Sequence, residues 1–245
     1  ASGNLSVGAA GSITFSGSMT LTMNGVDQTI DVNNVTMRSF TVASSSGTTL
    51  SDHARVATTL QVNTGSNLTI QSFIFGATGA TIRNYAVVAE NTGKLVHRPT
   101  NVLIANSSYQ EANFTTGDTV YFTITDGDEN TNGTSAQSFT ITVTTTAGES
   151  ETVTLTENGN ATAVFRGSMA SASVVGGTVT TGNSKIEAAS EVTMTMTYTD
   201  GEDSLVSTDT ARREASRGEV KARVGAAVEA EIAAQAAQPR AAEGR

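Results

Sequence analysis

The chain has 245 residues and a formal net charge of −9, and its length suits one large or two ordinary domains. Charged residues make up 15% of it and cysteine is absent, which excludes a disulfide framework, a cysteine metal site and a thiol nucleophile. The acidic balance argues against a nucleic-acid partner, because phosphate binding needs clustered Lys and Arg, and no run approaches the roughly 18 apolar residues of a membrane span.

Residues 1–99 alternate apolar side chains with Thr, the pattern of half-buried strands. The run from Met19 to Met23 is followed by Asn24-Gly25, a dipeptide typical of type I′ hairpin turns, and then by Ile30 and Val32. Further apolar runs span 35–42, 55–62, 67–75 and 81–90. These patterns predict a first β-sandwich domain over residues 1–99.

The first strand of that domain is predicted to be exchangeable. Leu5 and Val7 are separated from Ile13 and Phe15 by a spacer rich in Gly and Ala. Because the spacer is flexible, the strand at Leu5 and Val7 could complete the sheet of another subunit.

A second domain is predicted over residues 100–204, beginning after Pro99. Apolar residues alternate with Thr in the runs 120–125, 139–144, 153–155 and 192–198, and Asn158-Gly159 supplies another hairpin turn. Two such sheets packed face to face form a β-sandwich. The irregular stretch Ser171–Ala189 is expected to be a long loop or a set of short edge strands.

Residues 205–245 form a tail of different composition. Alanine is frequent and Thr does not occur after Thr210, so the preference changes from strand to helix. Ser216 and Glu219 fit a capping box, which predicts a helix from about Arg217 to Gln238. An apolar stripe recurs at every fourth residue of this helix and is expected to contact another subunit: Val220, Val224, Val228 and Ile232. The predicted fold class is all-β, with two Ig-like β-sandwich domains followed by a C-terminal α-helix.

Four blocks in the second domain carry a family resemblance. They are Gly117–Asn130, Glu151–Glu157, Val164–Gly167 and Met196–Asp200. In this order and spacing they resemble the immunoglobulin-like repeat of bacterial and archaeal cell-surface and S-layer proteins, over residues 116–203. The resemblance implies a structural module that often occurs in many copies. Residues 1–100 do not repeat the motif, so the resemblance implies nothing about their role.

Acidic residues at two predicted strand ends indicate a calcium site. Asp126, Asp128 and Asn130 present oxygen atoms at alternate positions after one strand, and Asp200, Glu202 and Asp203 follow another. Hard cations such as Ca²⁺ prefer such oxygen ligands. If the strands alternate in direction, both ends reach one pole of the sandwich and the oxygens converge. The alternative is that these Asp-Gly and Asn-Gly pairs only form solvated turns.

No catalytic residue is predicted, and the chain is not expected to be an enzyme. His53 and His97 have no second His at ligand spacing, and Gly-x-Ser-x-Gly, Gly-x-Gly-x-x-Gly and Walker motifs are absent from the sequence.

The small residue at Ala1 suits the position after a signal-peptide cut, so an extracellular or cell-surface location is expected. Seven Asn-x-Ser/Thr triplets are candidate glycan acceptors: Asn4, Asn34, Asn67, Asn106, Asn113, Asn132 and Asn160.

These features together predict a self-assembling structural subunit of an extracellular filament or surface layer. Copies of the chain would form a homopolymer by strand or helix exchange, which would also cover exposed sheet edges. The alternatives are an adhesin or carbohydrate-binding surface module, and less strongly a viral coat protein or a secreted hydrolase.

Overall fold

The computed structural model describes residues 5–6, 20–32, 36–77, 79–92, 94–174, 178–188, 191–202, 204–215 and 217–236. The described strands form two regions that differ in how they pair, and one helix follows them. We call the described residues between 5 and 96 the solenoid region and those between 100 and 213 the antiparallel region.

Short parallel strands build the solenoid region. The strands are β1 (Leu5–Ser6), β2 (Thr20–Met23), β3 (Gln28–Asp31), β4 (Thr36–Val42), β5 (Thr48–Leu50), β6 (Ala54–Val62), β7 (Asn67–Thr69), β8 (Ile74–Gly76), β9 (Thr81–Asn84), β10 (Val87–Ala89) and β11 (Lys94–Val96). One sheet has the order β1-β3-β5-β7-β10 and the other the order β11-β8-β6-β4-β2, with β9 also paired to β6. The described pairs of both sheets are parallel.

Paired residues in this region lie about 20 positions apart in the chain. Gln28 pairs with Thr48, which in turn pairs with Leu68. Parallel neighbours cannot be joined by a two-residue hairpin, so the chain runs along one sheet, turns into the other and returns one coil later. This stacking buries equivalent side chains above one another: Leu21, Phe40 and Leu60 form one ladder and Met23, Val42 and Val62 the next.

The prediction of an Ig-like sandwich with a hairpin at Asn24-Gly25 is therefore wrong for the solenoid region. Strands β2 and β3 flank that dipeptide but lie in different sheets. The corner between them is closed by the buried Gln28, whose Oε1 accepts a hydrogen bond from the Gly25 N–H at 2.5 Å. Alternation identified the strands correctly, but it carries no information about which strand lies next to which.

The first strand pairs within its own chain, where Leu5 lies opposite Ile30. Its predicted exchange into another subunit stays a prediction. Val7 lies outside the described residues.

The antiparallel region contains longer strands around a second core. They are β12 (Thr100–Ala105), β13 (Thr119–Thr125), β14 (Ser138–Thr145), β15 (Ser150–Glu157), β16 (Val164–Ser173), β17 (Lys185–Ala188), β18 (Thr193–Thr199) and β19 (Val206–Arg212). The sheet order is β12-β13-β16-β15-β14-β18-β19, and β17 adds in parallel to β16. The two ends of this path meet, because the Ile104 N–H donates to Asp209 Oδ2 at 2.6 Å. The sheet thus curves around a core that includes Phe122, Phe165 and Tyr198.

One predicted boundary moves, and one predicted alternative is confirmed. The antiparallel region extends past residue 204, because β19 pairs with β18 along seven residues. The stretch Ser171–Ala189 contains the end of β16 and all of β17, as the edge-strand alternative proposed. Glu151 organises the turn before β17 by accepting hydrogen bonds from the backbone N–H groups of Gly182, Asn183 and Ser184.

The helix α1 (Arg217–Ala236) matches the predicted tail helix to within two residues at its C-terminal end. Val220, Val224 and Val228 are 49–58% exposed. The side chain of Ile232 lies outside the described set. Among the described residues, no helix is long and apolar enough to cross a bilayer.

Candidate cation site at the junction of the two regions

The end of the solenoid region is covered by a loop of the antiparallel region. Val88 N–H donates to the Thr131 carbonyl at 2.8 Å, and Gly133 N–H donates to the Ala86 carbonyl at 2.6 Å. Val87 and Asn132 form an antiparallel bridge between these bonds. Residues 131–133 therefore satisfy the open edge of β10, which would otherwise expose unpaired backbone groups.

Asn84 marks the point where the apolar ladder of the solenoid region ends. It lies opposite Val62 in the register, so it occupies the ladder position that Met23, Val42 and Val62 fill in earlier coils. Asn84 is fully buried, donates from Nδ2 to the Asn130 carbonyl at 2.7 Å and accepts at Oδ1 from Ala86 N–H at 3.1 Å. A polar side chain here is satisfied only because the next layer is a loop rather than another coil.

The predicted calcium residues lie in and beside this loop. Asp126, Asp128, Asn130 and Asp200 are all at most 2% exposed. They follow the ends of β13 and β18, which reach the same pole of the antiparallel region, as the sequence suggested. Carboxylate oxygens of Asp128, Asp200 and Glu202 all lie within 4.8 Å of one another. Asp203 lies outside the described residues.

His97 joins the cluster from the end of the solenoid region. Its backbone N–H donates to Asp128 Oδ2 at 2.6 Å. Its ring Nδ1 accepts from Gly127 N–H at 3.2 Å, which assigns the proton to Nε2, and Nε2 lies 3.0 Å from the Ala80 carbonyl. Nδ1 is also 3.2 Å from Asp126 Oδ1, so a protonated ring would form an ion pair there. In the neutral form both ring nitrogens already have partners.

Tyr198 lies beneath the cluster in the core of the antiparallel region. Its hydroxyl donates to Asp126 Oδ2 at 2.8 Å and to Glu129 Oε1 at 3.1 Å. One hydroxyl proton is thus shared between two carboxylates. Burial and these two negative charges raise the pKa of Tyr198, so the hydroxyl stays protonated and acts as a donor.

The solenoid region also contributes charge to the cluster. Lys94 Nζ donates to the Glu202 backbone carbonyl at 2.6 Å, and Glu90 Oε1 accepts from Leu95 N–H at 2.6 Å. Burial raises the pKa of Glu90. Burial is also the main cause that raises the pKa of Glu129, and the negative charge of Glu90 raises the pKa values of Glu129 and Glu202 further.

The carboxyl groups at the junction have raised pKa values, so they resist ionisation. Burial is the main cause, and it raises the pKa values of Asp126, Asp128 and Glu202. Negative neighbours raise them further: Asp200 acts on Asp126, and Asp126 acts on Asp128. Without a compensating cation, the cluster therefore holds protons that isolated carboxylic acids lose near pH 4.

Several buried polar atoms of the cluster have no hydrogen-bond partner. They are Asp128 Oδ1, Glu202 Oε2 and both amide atoms of Asn130. When both are ionised, Asp126 cannot satisfy Asp128, because a carboxylate only accepts hydrogen bonds; a protonated Asp128 donates to Asp126 instead. Buried oxygens of this kind are normally paired, and each exception calls for a physical cause.

Chemically, the arrangement suits binding of a cation better than proton transfer to a substrate. Its oxygen ligands match those of hard cations. A cavity of about 330 Å³ beside the cluster is lined by Ala80, Ile82, His97 and Gly127, and a second one, of about 730 Å³, reaches Glu202. His97, Tyr198, Glu90 and Glu129 were not predicted as part of the site. His97 and Glu90 come from another region of the chain, and Tyr198 and Glu129 show no signal beyond ordinary strand and turn patterns.

The other predicted site residues lie elsewhere. Of the candidate glycan acceptors, Asn67, Asn106, Asn113 and Asn160 are exposed and Asn132 is half-buried. Asn4 and Asn34 lie outside the described residues. The valines of α1 are far along the chain from the junction and on the surface.

The chain matches no protein-family model. A comparison with curated proteins also gives no significant match.

Proposed function

We propose that the protein is an extracellular structural subunit that associates with copies of itself through α1. The exposed valine stripe carries this proposal. Val220, Val224 and Val228 lie on one face of the helix, and every described side chain of α1 is exposed. Isolated Ala-rich helices of this length are marginal in water, so burial of the stripe against a neighbour would stabilise both the helix and the contact.

The charge pattern of α1 selects the partner and its orientation. The sequence places Arg217, Lys221 and Arg223 with one acid in the first third of the helix, and only Glu229 and Glu231 beyond it. Basic residues at the N-terminus and acidic residues at the C-terminus oppose the helix dipole. Two antiparallel copies would place opposite charges and opposite dipole ends side by side. The preferred occupant of the stripe is therefore the same helix of a second copy.

The antiparallel region supports a surface location through its likeness to immunoglobulin domains. With strands β12 to β16, β18 and β19 lettered A to G, its order is A-B-E-D followed by C-F-G. Constant-type immunoglobulin domains divide the same strands into ABED and CFG sheets, whereas here strands D and C are also paired and join the two halves into one sheet. We assign an Ig-like module on this basis, and the resemblance to surface-layer repeats then favours a structural role.

Light scattering on the full chain tests the helix contact. We expect the full chain to form at least dimers and a chain ending at residue 215 to be monomeric. Val224→Glu together with Val228→Glu should also give a monomer, because the charges would be buried in the contact. Ala226→Glu is the matched control, since it adds the same charge about 200° around the helix from Val224.

A monomeric full chain would contradict the proposal, as would dimers that persist in the double variant. Negative-stain microscopy then distinguishes filaments or sheets from isolated dimers. Extended assemblies that disappear on truncation at residue 215 are the expected result for a surface subunit.

A groove in the solenoid region favours the adhesin alternative. It has a volume of about 730 Å³ and is lined by Arg55, Ile74 and Lys94 of the solenoid region and by Glu202 of the antiparallel region. Arg55 and Lys94 beside an apolar side chain suit an anionic ligand such as an acidic sugar, which would have to lie clear of Glu202. Binding of acidic oligosaccharides by a monomeric chain, lost in Arg55→Ala, would favour this function over self-assembly.

A further inference from the structure

We propose that Asp128, Asp200 and Glu202 bind one Ca²⁺ ion, and that this ion stabilises the attachment of the solenoid region to the antiparallel region. The inference does not rest on the helix contact proposed above. It concerns only the junction.

The spacing of the oxygens fits a single ion. The three carboxylate oxygens all lie within 4.8 Å of one another. Oxygen ligands about 2.4 Å from a shared Ca²⁺ can be at most about 4.8 Å apart. Three carboxylates and water molecules would complete the usual six to eight ligands of this cation.

The unpartnered oxygens provide a second, independent observation. Asp128 is 2% exposed and its Oδ2 is held by His97 N–H. No N–H or hydroxyl group of the described residues reaches its Oδ1, so only a carboxyl proton shared with Asp126 pairs it when no ion is bound. Glu202 is half-buried, and its buried Oε2 likewise lacks an N–H or hydroxyl donor among the described residues. A cation bound by these atoms would supply the missing interaction and offset the repulsion between the carboxylates.

The ligand chemistry favours calcium over a transition metal. The chain has no cysteine. The ring nitrogens of His97 are already engaged by Gly127 N–H and the Ala80 carbonyl. What remains is a set of carboxylate oxygens on two loops, which suits the flexible coordination of Ca²⁺ better than the strict octahedron of Mg²⁺.

The same groups connect the two regions. The three ligands belong to the antiparallel region, yet His97 binds Asp128 and Lys94 binds the Glu202 backbone from the solenoid region. Fixing the two ligand loops therefore also fixes the groups to which the solenoid region is attached. Removal of the ion should loosen residues on both sides of the junction.

Calorimetry on the full chain tests the binding. In millimolar CaCl₂ we expect a melting temperature roughly 5–10 °C above that in EGTA when calcium is about 100-fold above its dissociation constant. Titration calorimetry should give one ion per chain. No shift, or an equal shift with MgCl₂ at the same concentration, would overturn the assignment to calcium.

The Asp128→Asn variant gives an outcome that a general loss of stability cannot imitate. Because the neutral amide can still accept from His97 N–H without placing an ionisable group in the buried site, we expect it to melt above wild type in EGTA, but to lose the calcium-dependent shift. Asp200→Asn should lose the shift as well. Glu111→Gln, an exposed acid on the same region, should keep it. A full shift in both Asp variants would show that the ion binds elsewhere and would overturn the site.

Hydrogen–deuterium exchange tests the connection between the regions. Calcium should slow exchange of amides at 84–97, which lie on the solenoid side, as well as at 126–133. Protection confined to the antiparallel region would contradict the coupling.

Discussion

The strands of the solenoid and antiparallel regions have similar sequences, but the two regions differ in how the strands pair and in charge. Both alternate Thr with apolar residues, yet one pairs in parallel at intervals of about 20 residues and the other folds by antiparallel pairing. Residues 1–99 carry five basic and four acidic residues, whereas residues 100–204 carry two basic and 13 acidic residues. Six of those acids are buried: Asp126, Asp128, Glu149, Glu151, Glu157 and Asp200. The difference teaches that nearly half of the acids of the second region are internal, where their charge must be met by backbone donors, protons or a cation.

Backbone donors meet part of this charge. Glu151 accepts three loop N–H groups, and Glu157 accepts those of Thr162 and Ala163 at 2.8 Å each. Glu149 accepts one, from Glu187, and burial raises its pKa to about 6. The junction carboxylates are less well supplied with donors, which is why the cation is proposed there.

The largest expected effect on stability comes from truncating one buried aromatic side chain in each of the two cores. Phe40→Ala in the solenoid region and Phe165→Ala in the antiparallel region each remove a fully buried ring. Each should cost about 3–5 kcal/mol in the free energy of unfolding, measured by urea denaturation. Thr58→Ala and Thr140→Ala are exposed controls in the same two regions and should change it little.

A cost below about 1 kcal/mol for Phe40→Ala alone would contradict the packed solenoid core. A single transition shifted in both variants would show that the regions unfold together. Two transitions, each moved by only one substitution, would show that the junction does not couple them.

The next effect concerns the loop that covers the solenoid edge. A Cβ on Gly133 would lie 2.1 Å from the Asn84 carbonyl oxygen and 2.7 Å from Tyr85 Cα. Because both contacts are to backbone, Gly133→Ala must displace the loop, at a cost of about 1–3 kcal/mol or more. The melting temperature checks this, with Gly201→Ala as control because no atom lies within 4 Å of its added Cβ. Equal melting temperatures for both variants would show that the loop does not pack as described.

How much of this could be predicted from the sequence differs between the regions. Alternation predicted most strands in both, and Asn158-Gly159 lies at the turn that joins β15 to β16. Asn24-Gly25 is chemically similar but turns the chain between sheets. A signal for the solenoid was present in the recurrence of Leu21-x-Met23, Phe40-x-Val42 and Leu60-x-Val62 at intervals of 19 to 20 residues. A search for internal repeats is the analysis that finds it.

The acidic residues of the candidate site could be predicted from the sequence, but the residues of the solenoid region that contact them could not. Asp126, Asp128 and Asp200 were identified because strand ends with carboxylates suggest cation ligands. His97 and Lys94 depend on how the solenoid end meets a loop more than 30 residues later, and local patterns do not encode that contact. The repeat does contain one clue: Asn84 breaks the apolar ladder where the coil stack ends.

A smaller effect on stability tests whether a polar residue is favoured at position 84 only because this position lies at the junction. Asn84→Val should cost about 1–3 kcal/mol, because it leaves the Asn130 carbonyl and the Ala86 N–H without their partner. The reciprocal Val62→Asn places an amide inside the apolar stack, where no loop is available to satisfy it, and should be at least as costly. Chemical denaturation of both variants makes the comparison. A gain in stability for Asn84→Val would show that the solenoid tolerates a further apolar layer and that Asn84 does not serve the junction.

The smallest expected effect is a pH dependence confined to the calcium-free protein. Since burial raises the folded-state pKa values of Asp126, Asp128 and Glu202 above those of the unfolded chain, the folded state binds more protons. Stability should therefore fall as the pH rises from about 5 to about 8, by a few degrees in melting temperature. Calcium should flatten this slope, because the ion replaces the protons as the partner of the carboxylates. If the melting temperature in EGTA instead rises between pH 5 and pH 8, groups other than the junction carboxylates govern the pH dependence. If Asp128→Asn reduces the fall in melting temperature, the pH dependence arises at the junction.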